Sequence, residues 1–164
     1  MSEARRRTVT WQDPRAATEA GTAMAGIDYL RAMIAGELPQ APMAETLGFR
    51  LTEVADGFAV FTSTAEEHHY NPLSTVHGGL AAALIDSATG CAVHTTLPAG
   101  TLYTTINLSV DFLRPATADT GVLRCEGRIV HRGARLAIAE GRVIGGDGDK
   151  VLARGQTTCM IFDA

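Results

Sequence analysis

One segment of the sequence constrains the fold more than any other. An alanine- and leucine-rich stretch follows His77-Gly78-Gly79 and continues to about His94. Its apolar residues recur at helical spacing, which predicts one helix over residues 79–94. One face of that helix carries Leu80, Leu84, Ser87 and Cys91, and a second stripe has short side chains: Gly79, Ala82, Asp86 and Gly90. Short side chains let another backbone approach closely, so we expect tight packing along this stripe.

Strand patterns lie on both sides of this helix. The clearest alternates apolar and polar residues from Ile106 to Phe112. Glycine-containing turns at 131–134 and 145–149 predict that the last strands pair as an antiparallel meander. Two strands are predicted before the helix and four after it: 49–54, 58–62, 104–114, 121–131, 135–145 and 150–162. This segregation indicates an α+β fold in which one antiparallel sheet wraps one helix.

The N-terminal residues give weaker signals. Residues 25–36 predict a helix that Gly36 can end, and residues 43–47 predict a short helical turn. Arg5-Arg6-Arg7 has no apolar segment behind it and is therefore not a secretory signal. We expect residues 1–24 to form a flexible arm before a single domain over residues 25–164.

Composition argues against several classes of function. The longest purely apolar run, Leu80–Ile85, is far shorter than the ~18 residues that a membrane span requires. A net charge of −4 argues against nucleic-acid binding, which depends on neutralising phosphates. The three cysteines have no Cys-x-x-Cys spacing, and His68, His69 and His77 have no carboxylate at metal-ligand spacing. We therefore expect neither disulfides nor a metal, and a location in the reducing cytoplasm.

A motif in the middle of the chain is similar to that of a known family. Asn71, then His77-Gly78-Gly79, then Asp86 in the following helix resembles the hotdog-fold thioesterases. The phenylacetate-degradation (PaaI-like) type, in the 4-hydroxybenzoyl-CoA thioesterase superfamily, is the most similar subgroup. Three further segments fit the family: 103–105, 112–116 and 131–133. The resemblance covers about residues 25–162 and implies a long helix inside a curved antiparallel sheet, assembled as homodimers or dimers of dimers (homotetramers).

The resemblance implies an acyl-CoA thioesterase that releases free coenzyme A and a carboxylate without a cofactor or metal. Asp86 would be the general base or the nucleophile, and the Gly78 and Gly79 amides at the helix start would stabilise the oxyanion. Asn71 would hydrogen-bond the thioester or orient His77, which is better suited to capping the helix than to acting as a base. Thr105, or Thr104 beside it, would position water.

Asp86 also has a purely structural interpretation. A carboxylate in an apolar helix is costly to bury unpaired, and a neighbouring backbone group or arginine could satisfy it. The basic residues allow two interpretations as well. Arg114, His131, Arg132 and Arg135 could bind the phosphates of coenzyme A, or they could simply be solvated.

The spacing of the motif has a geometric consequence that does not depend on the family. Gly78 and Asp86 are eight residues apart on one predicted helix, hence about 12 Å along its axis. An oxyanion donor and an attacking group must both contact the same reacting carbonyl. If both residues are catalytic, Gly78 of one subunit must face Asp86 of another, and the enzyme is at least a dimer.

The sequence allows two other functions to be considered, each with an argument against it. A hotdog hydratase or dehydratase pairs a histidine with a carboxylate, whereas Asp86 has no obvious histidine partner on its own helix. A non-catalytic acyl-CoA-binding regulator would need a DNA-binding domain, and 24 N-terminal residues are too few for one. The acyl group stays open among aryl, short-chain and medium-chain acids.

Overall fold

The computed structural model describes residues 3–146 and 150–164. The elements in chain order are α1 (Pro14–Ala23), α2 (Gly26–Ala35), α3 (Pro42–Leu47), β1 (Phe49–Ala55), β2 (Phe58–Thr64), α4 (Gly78–His94), β3 (Thr101–Phe112), β4 (Val122–Arg132), β5 (Leu136–Gly145) and β6 (Lys150–Asp163). Every predicted strand and helical segment is present, with ends shifted by up to three residues. The α+β class is therefore confirmed.

Within the described residues the strands form one antiparallel sheet in the order β1-β2-β4-β5-β6-β3. Strands β4, β5 and β6 are the predicted meander. The turn expected at 145–149 lies partly outside the described residues, because 147–149 are not among them. Strand β3 pairs with β6 rather than with β4, which follows it in sequence. It therefore forms one edge of the sheet, and β1 forms the other.

A row of glycines explains how closely α4 lies on the sheet. Gly127, Gly141 and Gly155 are paired neighbours on β4, β5 and β6. A methyl group on Gly127 would lie 2.2 Å from the carbonyl oxygen of Ala88, which is closer than atoms can approach. The close backbone approach predicted for α4 therefore depends on glycines of the sheet. On the stripe of short side chains of α4 itself, Gly90 makes room for the side chain of Tyr103.

The buried face of α4 forms the centre of the core. Leu84, Ile85, Ala88 and Ala92 are fully buried there. Burying side chains as large as leucine or isoleucine stabilises the fold by roughly 1.5–3 kcal/mol each. The buried hydroxyl of Thr89 donates to the Ile85 carbonyl at 2.7 Å, so this polar group is satisfied inside the apolar core.

The N-terminal segment contains more structure than the sequence analysis assigned to it. Asp13 caps α1 by accepting a hydrogen bond from the Arg15 amide, and Pro14 occupies the first turn, a recognised helix-start signal. The Arg7 guanidinium donates to the Thr46 carbonyl at the end of α3 at 2.6 Å. Flexibility of residues 1–24 stays a prediction. No helix within 3–146 or 150–164 is long and apolar enough to cross a bilayer.

Candidate active site

Asp86 lies in the middle of α4, where its carboxylate faces a cavity of about 520 Å³, termed here the Asp86 cavity. Asp86 is half-buried. The Thr105 hydroxyl on β3 donates to its Oδ1 at 2.9 Å. Among the described residues no arginine forms an ion pair with this carboxylate. Asp86 is thus a carboxylate held by one hydroxyl at the wall of a cavity.

The structure distinguishes between the two candidate threonines. Thr105 is half-buried and contacts Asp86, whereas Thr104 is exposed. The register of β3 against β6 shifts between Thr105 and Asn107. Such an irregularity changes which side chains face the helix, and it cannot be deduced from alternating residue types.

The start of α4 borders a second cavity of about 510 Å³, termed the Gly78 cavity. His77 caps the helix, as predicted, and its Nδ1 accepts a hydrogen bond from the Gly79 amide at 2.9 Å. The Gly78 amide has no hydrogen-bond partner among the described residues. Of the expected pair of oxyanion donors, the Gly79 amide is bound by His77 and the Gly78 amide is free.

Asn71 also lines the Gly78 cavity, but its side chain mainly holds its own loop. Its amide nitrogen donates to the Thr75 hydroxyl at 2.9 Å, and its Oδ1 accepts from the Leu73 amide at 2.8 Å. No hydrogen bond in the described part of the chain joins it to His77, so it does not orient that ring.

The predicted basic residues do not form one patch. Arg114 lines the Gly78 cavity, and its Nη1 donates to the Val151 carbonyl at 2.6 Å. His131, Arg132 and Arg135 are exposed at the connection between β4 and β5 and line neither cavity. The Arg132 guanidinium donates to the Gly133 carbonyl beside it.

The Asp86 cavity has side chains that sequence reasoning did not single out: Tyr29, Cys91, His94 and Tyr103. Burial raises the pKa of the Cys91 thiol to about 12 and raises the pKa of Tyr103 well above its ordinary value. Burial also lowers the pKa of His94. These groups are therefore neutral near pH 7. The available signal was Gly90, one residue before Cys91, because a glycine inside a helix indicates a close neighbour.

The described residues contain no group of three or more histidine, cysteine or acidic side chains placed to hold a metal ion. The absence of a metal or other cofactor remains a prediction. The motif residues are instead divided between the two cavities. Asp86 and Thr105 border one of them, and Asn71, His77, Gly78 and Gly79 border the other.

Comparison with known proteins identifies the family to which the chain belongs. A model of the thioesterase superfamily matches residues 73–152. A Halobacterium salinarum protein described as a putative esterase is 32% identical over 122 residues, covering 71% of this chain and 79% of the relative. The chain belongs to the thioesterase superfamily. The mouse protein acyl-coenzyme A thioesterase 13 is 30% identical over 93 residues, covering 57% of this chain and 65% of the relative.

Solved structures agree with this membership of the thioesterase superfamily. A putative thioesterase of Ralstonia eutropha JMP134, related to phenylacetic acid degradation, matches with a TM-score of 0.72 at 34% identity, covering 80% of this chain and 98% of that chain. Escherichia coli PaaI matches with a TM-score of 0.73 at 22% identity, covering 86% and 97%, which shows the shared fold. The hotdog fold and the PaaI-like resemblance are confirmed, and the protein is a thioester hydrolase.

Proposed function

We propose that this thioesterase hydrolyses acyl-CoA thioesters at active sites shared between two copies of the chain. One observation carries the proposal: Asp86 and the free Gly78 amide border different cavities of one chain. Eight residues of α4 separate them by about 12 Å, too far for both to contact one carbonyl group.

The edge strand β3 supplies a way to bring the two halves together. Among the described residues β3 pairs only with β6, so the hydrogen-bonding groups of its outer edge are available. Thr105, in its first half, lines the Asp86 cavity, and Phe112, at its end, lines the Gly78 cavity. Antiparallel pairing of two β3 strands about a two-fold axis places the first half of one opposite the end of the other. Each Asp86 cavity then adjoins the partner copy's Gly78 cavity.

In such a site the hydrolysis needs only water and groups of the two chains. Thr105 holds one carboxylate oxygen of Asp86, and the other oxygen would act on water or on the substrate. Acting as a base, Asp86 takes a proton from water, the water oxygen bonds to the acyl carbon, the C–S bond breaks, and the proton passes to the coenzyme A thiolate. Acting as a nucleophile, Asp86 attacks the same carbon, and the C–S bond breaks to release the coenzyme A thiolate and leave a mixed anhydride on Asp86. Water then hydrolyses the anhydride to the free acid and Asp86, and the proton set free passes to the thiolate. In both routes the Gly78 amide stabilises the oxyanion.

For the phosphates of coenzyme A, Arg114 is the best placed of the predicted basic residues, because it alone of the four lines one of the two cavities. His131, Arg132 and Arg135 would contact the substrate only if the assembly brings them to it. A cytoplasmic location and function without a cofactor complete the proposal. The hydratase alternative requires a histidine beside the carboxylate. Among the described residues no histidine bonds Asp86, and His94, in the same cavity, lies eight residues away, about 12 Å along α4, which argues against that alternative.

The test is a panel of acyl-CoA thioesters assayed by detecting the released thiol, with light scattering at the assay concentration. We expect turnover by a dimer or larger oligomer. Acyl-CoA binding without turnover would indicate a binding module. Full activity in a monomer would disprove the shared site.

A further inference from the structure

The Asp86 cavity has a wall that lies outside residues 73–152, the part that matches the superfamily model. Helix α2 forms this wall and is fixed to the end of α4. The Gly26 amide donates to the Leu97 carbonyl at 2.9 Å, and a methyl group on Gly26 would lie only 1.9 Å from the His94 carbonyl oxygen. From this attachment α2 presents Tyr29 and Met33 to the cavity.

Three rings form a continuous row along this wall, termed here the aromatic row: Tyr29, His94 and Tyr103. The ring centroids of Tyr29 and His94 are 5.4 Å apart, as are those of His94 and Tyr103. Gly90 leaves space for the Tyr103 ring, because a methyl group at this position would lie 2.9 Å from it. The three rings are neutral near pH 7, since burial lowers the pKa of His94 and raises those of both tyrosines.

The position of the row limits the length of the cavity. It extends from Gly90, four residues after Asp86, to His94, eight residues after it, hence about 6 to 12 Å along α4. The other side chains around the cavity include the apolar Met33, Met43, Phe49 and Phe61. The lining also contains the polar Gln40 and Ser87. A group extending from a carbonyl at Asp86 along α4 therefore meets mostly apolar walls at its sides and the aromatic row at its end.

We propose that the aromatic row is the end wall of the acyl pocket and restricts this enzyme to short acyl groups. This inference rests on the proposed hydrolysis at Asp86. A long acyl chain would have to displace packed rings, and overpacking a well-packed region is destabilising. Among the residues of the row, Tyr29 is the specificity-determining residue to change. It belongs to α2, whereas Asp86 and Thr105 belong to α4 and β3, so its substitution should disturb them least.

The test measures kcat/KM for butanoyl-CoA and palmitoyl-CoA in the wild type, Tyr29→Ala and Tyr29→Phe. We expect the wild type to prefer butanoyl-CoA. Tyr29→Ala should raise the palmitoyl-to-butanoyl ratio by about 10-fold or more, a typical effect of changing the space in an apolar pocket. Tyr29→Phe keeps the ring and should keep the ratio. The matched control is Trp11→Ala, which removes an aromatic side chain that is 61% exposed and lines neither cavity.

A wild-type enzyme that prefers palmitoyl-CoA, or a folded Tyr29→Ala variant with an unchanged ratio, would overturn the inference. If Tyr29→Ala does not fold, Tyr29→Leu removes the ring and keeps an apolar side chain. Calorimetry with the non-hydrolysable S-butyl-CoA and S-hexadecyl-CoA separates this inference from the proposed reaction. If no thioester is hydrolysed, yet loss of the ring selectively strengthens S-hexadecyl-CoA binding, the end wall stands and the proposed reaction fails. Equal changes in the affinities for both ligands would disprove the end wall, whatever the hydrolysis rates.

Discussion

The two cavities along α4 are built in different ways. In the Gly78 cavity the motif residues lie in one loop whose side-chain hydrogen bonds are local: Asn71 binds Thr75, and His77 caps the helix through Gly79. The other walls of this cavity come from the strands β3, β4, β5 and β6. The Asp86 cavity takes its walls from α2, α3, β1, β2, β3 and α4, which are distant in sequence. A local motif can therefore be recognised in the sequence, whereas the pocket around the attacking group exists only after the chain has folded.

The largest effect is expected from changing the attacking group in the Asp86 cavity. Asp86→Asn should lower kcat by about 10²–10⁴-fold, the range of general acid–base catalysis. The variant amide oxygen can still accept the Thr105 hydrogen bond, so the melting temperature and oligomer mass should stay unchanged. The control Asp111→Asn changes an exposed carboxylate on β3 that pairs with Arg154. A wild-type rate in folded Asp86→Asn would end the catalytic assignment, and a large loss of stability would support the structural one.

The Gly78 cavity permits a nearly matched pair of variants. Gly78→Pro removes the free amide at a position where proline suits a helix, and the extended backbone of His77 (ψ 133°) tolerates a following proline. Gly78→Ala adds the same Cβ, about 2.9 Å from the Phe112 ring, but keeps the amide. We expect kcat to fall about 10²–10³-fold in the proline variant, as when one oxyanion donor is lost, and much less in the alanine variant.

Mixing the two defects tests whether the cavities meet across two chains. Asp86→Asn and Gly78→Pro subunits, unfolded and refolded together, should recover about a quarter of the wild-type activity, because half of random dimers are mixed and each has one intact site. No recovery, despite mixed dimers detected by mass spectrometry, would contradict the shared site. Equal losses in Gly78→Pro and Gly78→Ala would instead assign the effect to the added Cβ.

A smaller effect, on stability, is expected from changing the glycines of the sheet that let α4 pack closely, because both cavities lie along α4. Gly127→Ala places a methyl group against the Ala88 carbonyl oxygen and should lower the free energy of unfolding by about 1–3 kcal/mol. Gly141→Ala is the comparison, because its methyl group would lie 3.0 Å from a side-chain carbon of Thr89, which can adjust. Chemical denaturation measures both. If Gly141→Ala were the more destabilising variant, the close contact at Ala88 would not be the limiting one.

The smallest effect is expected in the pH dependence of the free energy of unfolding, through His94 in the Asp86 cavity. Burial lowers the pKa of His94, whereas the unfolded chain titrates near its ordinary value of about 6.5. Below that pH the unfolded state binds the proton first, so the free energy of unfolding falls as the pH drops from about 6.5 through the folded pKa. His94→Phe should reduce this dependence. His131→Gln, at an exposed histidine, should leave it in place. A His94→Phe profile identical to that of the wild type would refute this assignment.

The sequence by itself determined the helices and strands, and the distance between the two parts of the motif along α4. Periodicity placed α4 and the strands, because a buried helical stripe and a half-buried strand require different spacings of apolar residues. The eight residues between Gly78 and Asp86 fixed their separation once the segment was helical. Helix α1 was also encoded locally, in Asp13-Pro14, although the arm was expected to be flexible.

Only the tertiary structure decided which side chains meet at the Asp86 cavity. Thr105 rather than Thr104 reaches Asp86, next to an irregularity in the pairing of β3 with β6. Tyr29 joins the Asp86 cavity because α2 docks on the end of α4. Each of these contacts joins groups whose distance depends on packing, and residue spacing along the chain carries no information about it.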